Sequence, residues 1–256
     1  MKREWLIVPD YEDRVRSAEL AAEYHTAFEY DDFFIPAVYE NKEEVKKRIK
    51  EYEKLGRDTS RDTLHGCFLD TVVSSDDSTI RDHSQALFTQ SMEIAKELGV
   101  KGVVFHTGLI KGLDTDSYIN TWLTRQADFF EKLAAKFPML DIYMENSMES
   151  SPKYIMMLYE KLKHVDNFAL CLDWAHASLQ ETPFEEWTKA MGTNIRHMHI
   201  NDNDGFADIH AVVGTGVIDW KKFDTLTGYL EDKASVLLEL NGVDRQRESL
   251  EYLAKV

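Results

Sequence analysis

Residues 102–145 read GVVFHTGLIKGLDTDSYINTWLTRQADFFEKLAAKFPMLDIYME. The apolar run 102–106 ends in His106. Residues 117–137 then carry apolar side chains at three-to-four spacing, the period of an amphipathic helix. A second apolar run, 140–145, ends in Glu145. Strand, helix and strand in this order form a parallel βαβ unit, because two parallel strands need a long crossover between them.

The same alternation extends in both directions. Short apolar runs recur at 5–8 (WLIV), 25–30 (HTAFEY), 63–68 (TLHGCF), 168–173 (FALCLD), 195–200 (IRHMHI) and 236–240 (VLLEL). With the two above, that makes eight. Most are rich in large and β-branched apolar residues, as strands buried on both faces should be. Amphipathic segments stand between them. NKEEVKKRIKEYEKLG (41–56) opens on an N-cap Asn with acids and ends in Gly; 77–98, 219–230 and 243–253 show helical spacing as well. Eight such units close a (β/α)8 TIM barrel, which needs about 250 residues. The expectation is therefore an α/β chain, with residues 1–256 forming one TIM-barrel domain. The rival is an open doubly wound sheet. It is disfavoured because PDYED, and no glycine-rich phosphate loop, follows the first strand.

Composition narrows the function. Acids outnumber bases 46 to 30 over 256 residues, a formal charge of −16. The Lys and Arg residues are scattered, so the electrostatic footprint of duplex binding is missing and nucleic acid is an unlikely partner. Three divalent ions would offset only six of those negative charges. An acidic chain is also repelled by anionic membranes, and no apolar run approaches the roughly 18 residues of a membrane span. Cys67 and Cys171 lie in apolar stretches and read as reduced core thiols. The N-terminal MKREWLIVPD does not resemble a signal peptide. A cytoplasmic protein, monomeric or homo-oligomeric, is the expectation.

Active sites of TIM barrels sit at the C-terminal ends of the strands, so the residues that end each run matter most. His65 lies in the third, His106 ends the fourth, and Glu145-Asn146 ends the fifth. Asp173 ends the sixth, with His176 three residues on. The seventh carries His199, with Asp202 after it, the eighth carries Glu239, and Asp208 and His210 form an Asp-x-His pair in the loop after the seventh. A single His in an apolar strand is more often a hydrogen-bonded core residue. Glu145 and Glu239 are harder to dismiss, since a buried carboxylate is costly unless paired or metal-bound. Glu145, Asp173, Asp208 and Glu239 together would repel one another. No Lys or Arg stands at the strand ends to offset them, and Arg196 is placed to face outward. Imidazole and carboxylate without thiolate suit Zn²⁺, Mn²⁺, Fe²⁺ or Co²⁺. His197, on the same side of its strand as His199, and Trp174, after Asp173, are candidates for the pocket wall and substrate contact. His25, His83 and His164 read as surface residues.

The stretches HMHINDNDGFADIHAVVGTGVIDW (197–220) and CLDWAHAS (171–178) carry a resemblance. They resemble the xylose-isomerase-like TIM-barrel superfamily, which includes sugar phosphate isomerases and epimerases and the endonuclease IV type of DNA-repair enzyme. The likeness runs from about His65 to the C-terminus; before that only the strand–helix order matches. It implies a metal quartet of Glu145, Asp173, His199 and Glu239. It implies that His65 and His106, with bridging Glu145, hold another ion, and that His176, Asp208 and His210 hold a third. The chain departs from endonuclease IV in being short and acidic, without basic DNA-facing loops. It departs from ketose 3-epimerases in lacking an Arg between Asn201 and Val217.

Two functions follow. In the first, one to three divalent ions, Zn or Mn, serve a sugar or sugar phosphate isomerase or epimerase. Its metal polarises a carbonyl, and Glu145 and Glu239 act as the catalytic pair that moves a proton. The alternative is a multi-zinc phosphoesterase or AP endonuclease of the endonuclease IV kind, whose metals generate hydroxide.

Overall fold

The computed structural model describes residues 3–255. Eight parallel strands close into a barrel in sequence order. They are β1 (Trp5–Ile7), β2 (Ala27–Tyr30), β3 (Thr63–His65), β4 (Gly102–His106), β5 (Asp141–Glu145), β6 (Phe168–Asp173), β7 (Ile195–Ile200) and β8 (Ser235–Leu238). Pairing of β1 with β8 closes the ring, with Leu6 opposite Leu237. The open-sheet alternative is thereby excluded.

Register explains how polar side chains reach one end of this apolar scaffold. Side chains alternate across a strand, and the interior positions are Ala27-Glu29, Thr63-His65, Val104-His106, Tyr143-Glu145, Cys171-Asp173, His197-His199 and, across the end of β8, Leu237-Glu239. Val104 pairs with Tyr143 and His106 with Glu145; Glu145 pairs with Cys171 and Asp173 with His199. Beneath the mouth, the interior holds two small apolar clusters. Leu6, Val8, Ala27 and Leu237 form one; Val104, Tyr143, Ala169 and Cys171 form the other. The far larger core lies between strands and helices, where Phe88 stacks on Phe105 at 4.5 Å and meets Phe130.

The long helices begin and end where their caps dictate. α1 (Arg14–Tyr24) and α2 (Pro36–Tyr39) precede α3 (Lys42–Glu53), whose N-cap Asn41 accepts from the amides of Glu43 and Glu44. α4 (Ser78–Leu98) is capped by Asp77 and stopped by left-handed Gly99. α5 (Asp116–Lys136) is capped by Thr115. α6 (Lys153–Leu162), α7 (Trp174–Ser178) and α8 (Phe184–Met191) follow. The helix expected over 219–230 is a correction: a 3₁₀ turn, Trp220–Lys222, leads into a five-residue α9 (Phe223–Thr227) that ends before Gly228. α10 (Val243–Leu253) is as expected. Cys67 and Cys171 are free and buried. Among the described residues, no helix is long and apolar enough to cross a membrane.

Candidate metal centre

Nine side chains from six βα segments converge at the C-terminal mouth. Glu145, fully buried at the end of β5, is the hub. Its Oε2 lies 3.5 Å from His65 Nε2 and 3.3 Å from His106 Nε2. Its Oε1 lies 3.4 Å from His199 Nδ1, which is 3.3 Å from Glu239 Oε2. Donor atoms of Glu145, Asp173, His199 and Glu239 all lie within 4.8 Å of one another, and so do those of His65, His106 and Glu145. In the third group, Asp208 Oδ2 lies 3.2 Å from His176 Nε2 and 3.0 Å from His210 Nε2. Glu145 and Glu239, three strands apart around the ring, thus come within one ion's reach of each other.

The imidazoles are oriented from behind. His65 Nδ1 donates to the Gly66 carbonyl at 3.0 Å, His176 Nδ1 to Asn146 O at 2.9 Å, and His210 Nδ1 to Glu239 O at 2.7 Å. With each Nδ1 proton on a backbone carbonyl, Nε2 faces the carboxylates and would be free to ligate an ion bound between them. Several facing atoms are buried without a hydrogen-bond partner: both oxygens of Glu145, Oδ2 of Asp173, Nδ1 of His199, Oδ1 of Asp208 and Oε2 of Glu239. Buried polar atoms are rarely left so, and each needs an explanation. Imidazole and carboxylate donors at this spacing fit a borderline divalent cation.

Charge supports that fit. Burial pushes the Asp173 carboxyl well above its ordinary range; His176 opposes this, while Glu239, Glu145 and Asp208 add to it. Burial also raises Glu145, but His199 and His106 outweigh it and hold that carboxyl well below the usual range. The ion pairs made by Glu145, Asp173, Asp208 and Glu239 are with histidines; no Lys or Arg joins them among the described residues.

Three expectations are corrected. Trp174 does not face the mouth: it is 3% exposed, stacks on Phe184 at 4.3 Å and on Phe223 at 5.6 Å, and packs against Trp220. His197 does not line the open mouth. It is fully buried one layer below His199, with Nδ1 2.7 Å from Ser235 Oγ and Nε2 3.0 Å from Glu29 Oε2. Asp202 is a loop anchor. Its carboxylate accepts from the amides of Asn203, Gly214 and Ile218 and from Trp220 Nε1. A Cβ at Gly216 would collide with this carboxylate and with the Asn203 carbonyl, so the turn needs glycine there. An antiparallel bridge between Asp202 and Ala211 then folds the loop back and presents Asp208 and His210. His25 and His83 are exposed, and His164 is exposed beside Glu131.

Sequence reading missed four groups. Glu29, fully buried on β2, touches both His197 and His199. Asp31, two residues on, is pushed up to about 7 by burial and by Asp32, with His65 opposing. Phe34 and Phe68 are partly exposed and flank His65 at 5.6 and 5.1 Å; Phe68 also stacks on His106 at 4.6 Å. Parity was the available signal for Glu29, since it lies two residues beyond inward-facing Ala27.

Comparison with known proteins follows from this geometry. A family model described as the xylose isomerase-like TIM barrel matches residues 18–256. The Methanocaldococcus jannaschii protein MJ1614 is 26% identical over 167 residues; the match spans 63% of this chain and 63% of that relative, a little under two thirds of its length. The TTHB071 protein from Thermus thermophilus, whose crystal was soaked with ZnCl₂, is 23% identical with a TM-score of 0.75, covering 100% of this chain and 97% of that one. A D-tagatose 3-epimerase-like protein is 21% identical with a TM-score of 0.76, covering 98% and 96%. At these identities the two solved structures speak to the fold. The closed eight-strand barrel and the matched span together show that the chain belongs to the xylose isomerase-like TIM-barrel family.

Proposed function

We propose that this protein is a divalent-metal-dependent sugar or sugar phosphate isomerase or epimerase. The observation that carries the reading is the set of pre-oriented imidazole rings and unpartnered buried carboxylate oxygens around Glu145. Glu145, Asp173, His199 and Glu239 would hold the principal ion, and His65 with His106 would share Glu145 with another. A divalent ion bound there supplies Lewis-acid polarisation of a substrate carbonyl, which acidifies the neighbouring C–H.

The chain's own groups do the rest. Without metal, His199 and His106 hold the Glu145 carboxyl below its usual range, and a bound cation would keep it ionised in their place. Glu239, 17% exposed, stands at the open side of the cluster, where it can exchange a proton with substrate. Glu239 has two oxygens, so one can ligate while the other handles the proton; Glu145 keeps a free oxygen for this only when the His65–His106 ion is not bound. Phe34 and Phe68 offer apolar faces beside His65 and His106, suited to the C–H face of a sugar. The epimerase-like neighbour supports this choice of chemistry. Two buried, free cysteines agree with a reducing, cytoplasmic setting.

One observation favours a second reading. Asp208 lies between His176 and His210, within 3.2 Å of each, so the three could close on a further ion, which suits a multi-zinc phosphoesterase. One experiment separates the two: incubation of metal-loaded protein with a panel of ketoses, aldoses and their phosphates in D₂O. Deuterium incorporation next to a carbonyl supports the isomerase or epimerase. Phosphate release without exchange supports the phosphoesterase.

A further inference from the structure

The imidazoles of the mouth are not held alike. His65, His176 and His210 each give a ring proton to a neutral backbone carbonyl and present Nε2. His199 is reversed: Nδ1 faces Glu145 and Glu239, and Nε2 lies 3.0 Å from Glu29 Oε1, at ion-pair distance but off the angle of a hydrogen bond, and neither atom has another partner. That carboxylate is fully buried and has no Lys or Arg partner among the described residues. Its other oxygen accepts from Thr63 Oγ1 at 2.5 Å and meets His197 Nε2 at 3.0 Å, and His197 is braced in turn by Ser235 Oγ at 2.7 Å. A polar chain built from β2, β3, β7 and β8 thus crosses the barrel interior directly beneath the mouth.

We propose that Glu29 is a positioning residue for the metal centre: with an ion bound at Nδ1, it would take the Nε2 proton of His199, which makes Nδ1 a stronger ligand than a carbonyl-held imidazole would be. This rests on the metal reading above. A carboxylate behind a ligand imidazole fixes its tautomer and raises its basicity, and losing such a partner typically costs 10- to 100-fold in metal affinity. Thr63 and His197 keep Glu29 aimed, which explains why two further polar side chains are buried in an otherwise apolar barrel.

The test uses the full chain and Co²⁺. Glu29→Gln keeps the shape but removes the charge. Its affinity for the most tightly bound ion should fall about 10- to 100-fold, with an altered visible Co²⁺ spectrum and an unchanged far-ultraviolet circular dichroism spectrum. Unchanged affinity and spectrum would overturn the proposal while leaving the metal reading intact. Absence of Co²⁺ uptake by the wild type would overturn both. Should Glu29→Gln fail to fold, long-range ¹H–¹⁵N spectra of zinc-loaded wild type decide: His199 protonated on Nε2 supports the proposal, and His199 protonated on Nδ1 overturns it.

Discussion

Glu145 Oε1 and His199 Nδ1 face each other 3.4 Å apart, both fully buried and neither with a hydrogen-bond partner. Two unsatisfied polar atoms in contact inside a barrel are costly. A shared cation makes both favourable at once, and Glu145 extends that sharing to His65 and His106 through its other oxygen.

Glu145→Gln is therefore expected to act at two levels. It should weaken metal binding, and it should lower turnover and solvent exchange by a factor of about 10² to 10⁴, the usual cost of losing a general base. Glu239→Gln should lower turnover similarly. Steady-state kinetics with and without excess metal check this: full rescue of both variants by added metal would reduce the pair to ligands alone.

Asp208 and His210, on the loop after β7, should bind an ion together with His176 of α7. Replacing Asp208 and His210 together by Ala is expected to lower the bound-metal count by about one. Elemental analysis of wild type and variant, dialysed identically, reads the difference directly. Equal counts would leave those residues as a loop contact and weigh toward isomerase over phosphoesterase chemistry.

Without metal, that same trio should make stability depend on pH. Burial opposes protonation of His210, but Asp208 and Glu239 outweigh it and push its pKa from 6.5 up to about 10. A group whose pKa rises on folding stabilises fully below its unfolded value and loses that effect as pH rises through the folded one. In chelator, the urea midpoint of wild type should exceed that of His210→Gln at about pH 6, and the gap should close between pH 6.5 and about 10. A gap constant across that window would contradict the assignment.

Trp174 and Asp202 are expected to matter for stability and not for substrate. Trp174→Ala opens a hole among Phe184, Trp220 and Phe223 and should cost about 3–5 kcal/mol, while Trp174→Phe should leave KM unchanged. Asp202→Ala strands three backbone amides and the Trp220 indole. It should cost about 3 kcal/mol, from unsatisfied buried donors. Denaturant titrations and a KM measurement check both.

What was legible in the sequence is what strand periodicity controls. The barrel and its rim follow from apolar runs that end in His, Asp or Glu, because a two-residue step places each terminal side chain in the mouth. Glu29 obeys the same parity, but its run is followed by further acids, so no single residue marks its end. Trp174 directly follows a ligand candidate in sequence, yet α7 starts there and turns its side chain into the helix layer. His197 shares the parity of His199 one layer deeper, which converts an expected substrate contact into a brace for Glu29. The 219–230 segment has helical spacing, but it forms only a 3₁₀ turn and the short α9, and Asp202, a residue far back in sequence, anchors its start through the Ile218 amide and the Trp220 indole.

The central claim is that the mouth of this barrel is a divalent-metal centre. Its most direct test is elemental analysis of protein purified without chelators or affinity metal, followed by calorimetric titration with Zn²⁺ and Mn²⁺. The account predicts at least one tightly bound transition-metal ion per chain, lost when His199 and Glu239 are both replaced. Protein that is metal-free as purified and takes up no ion on titration would contradict it.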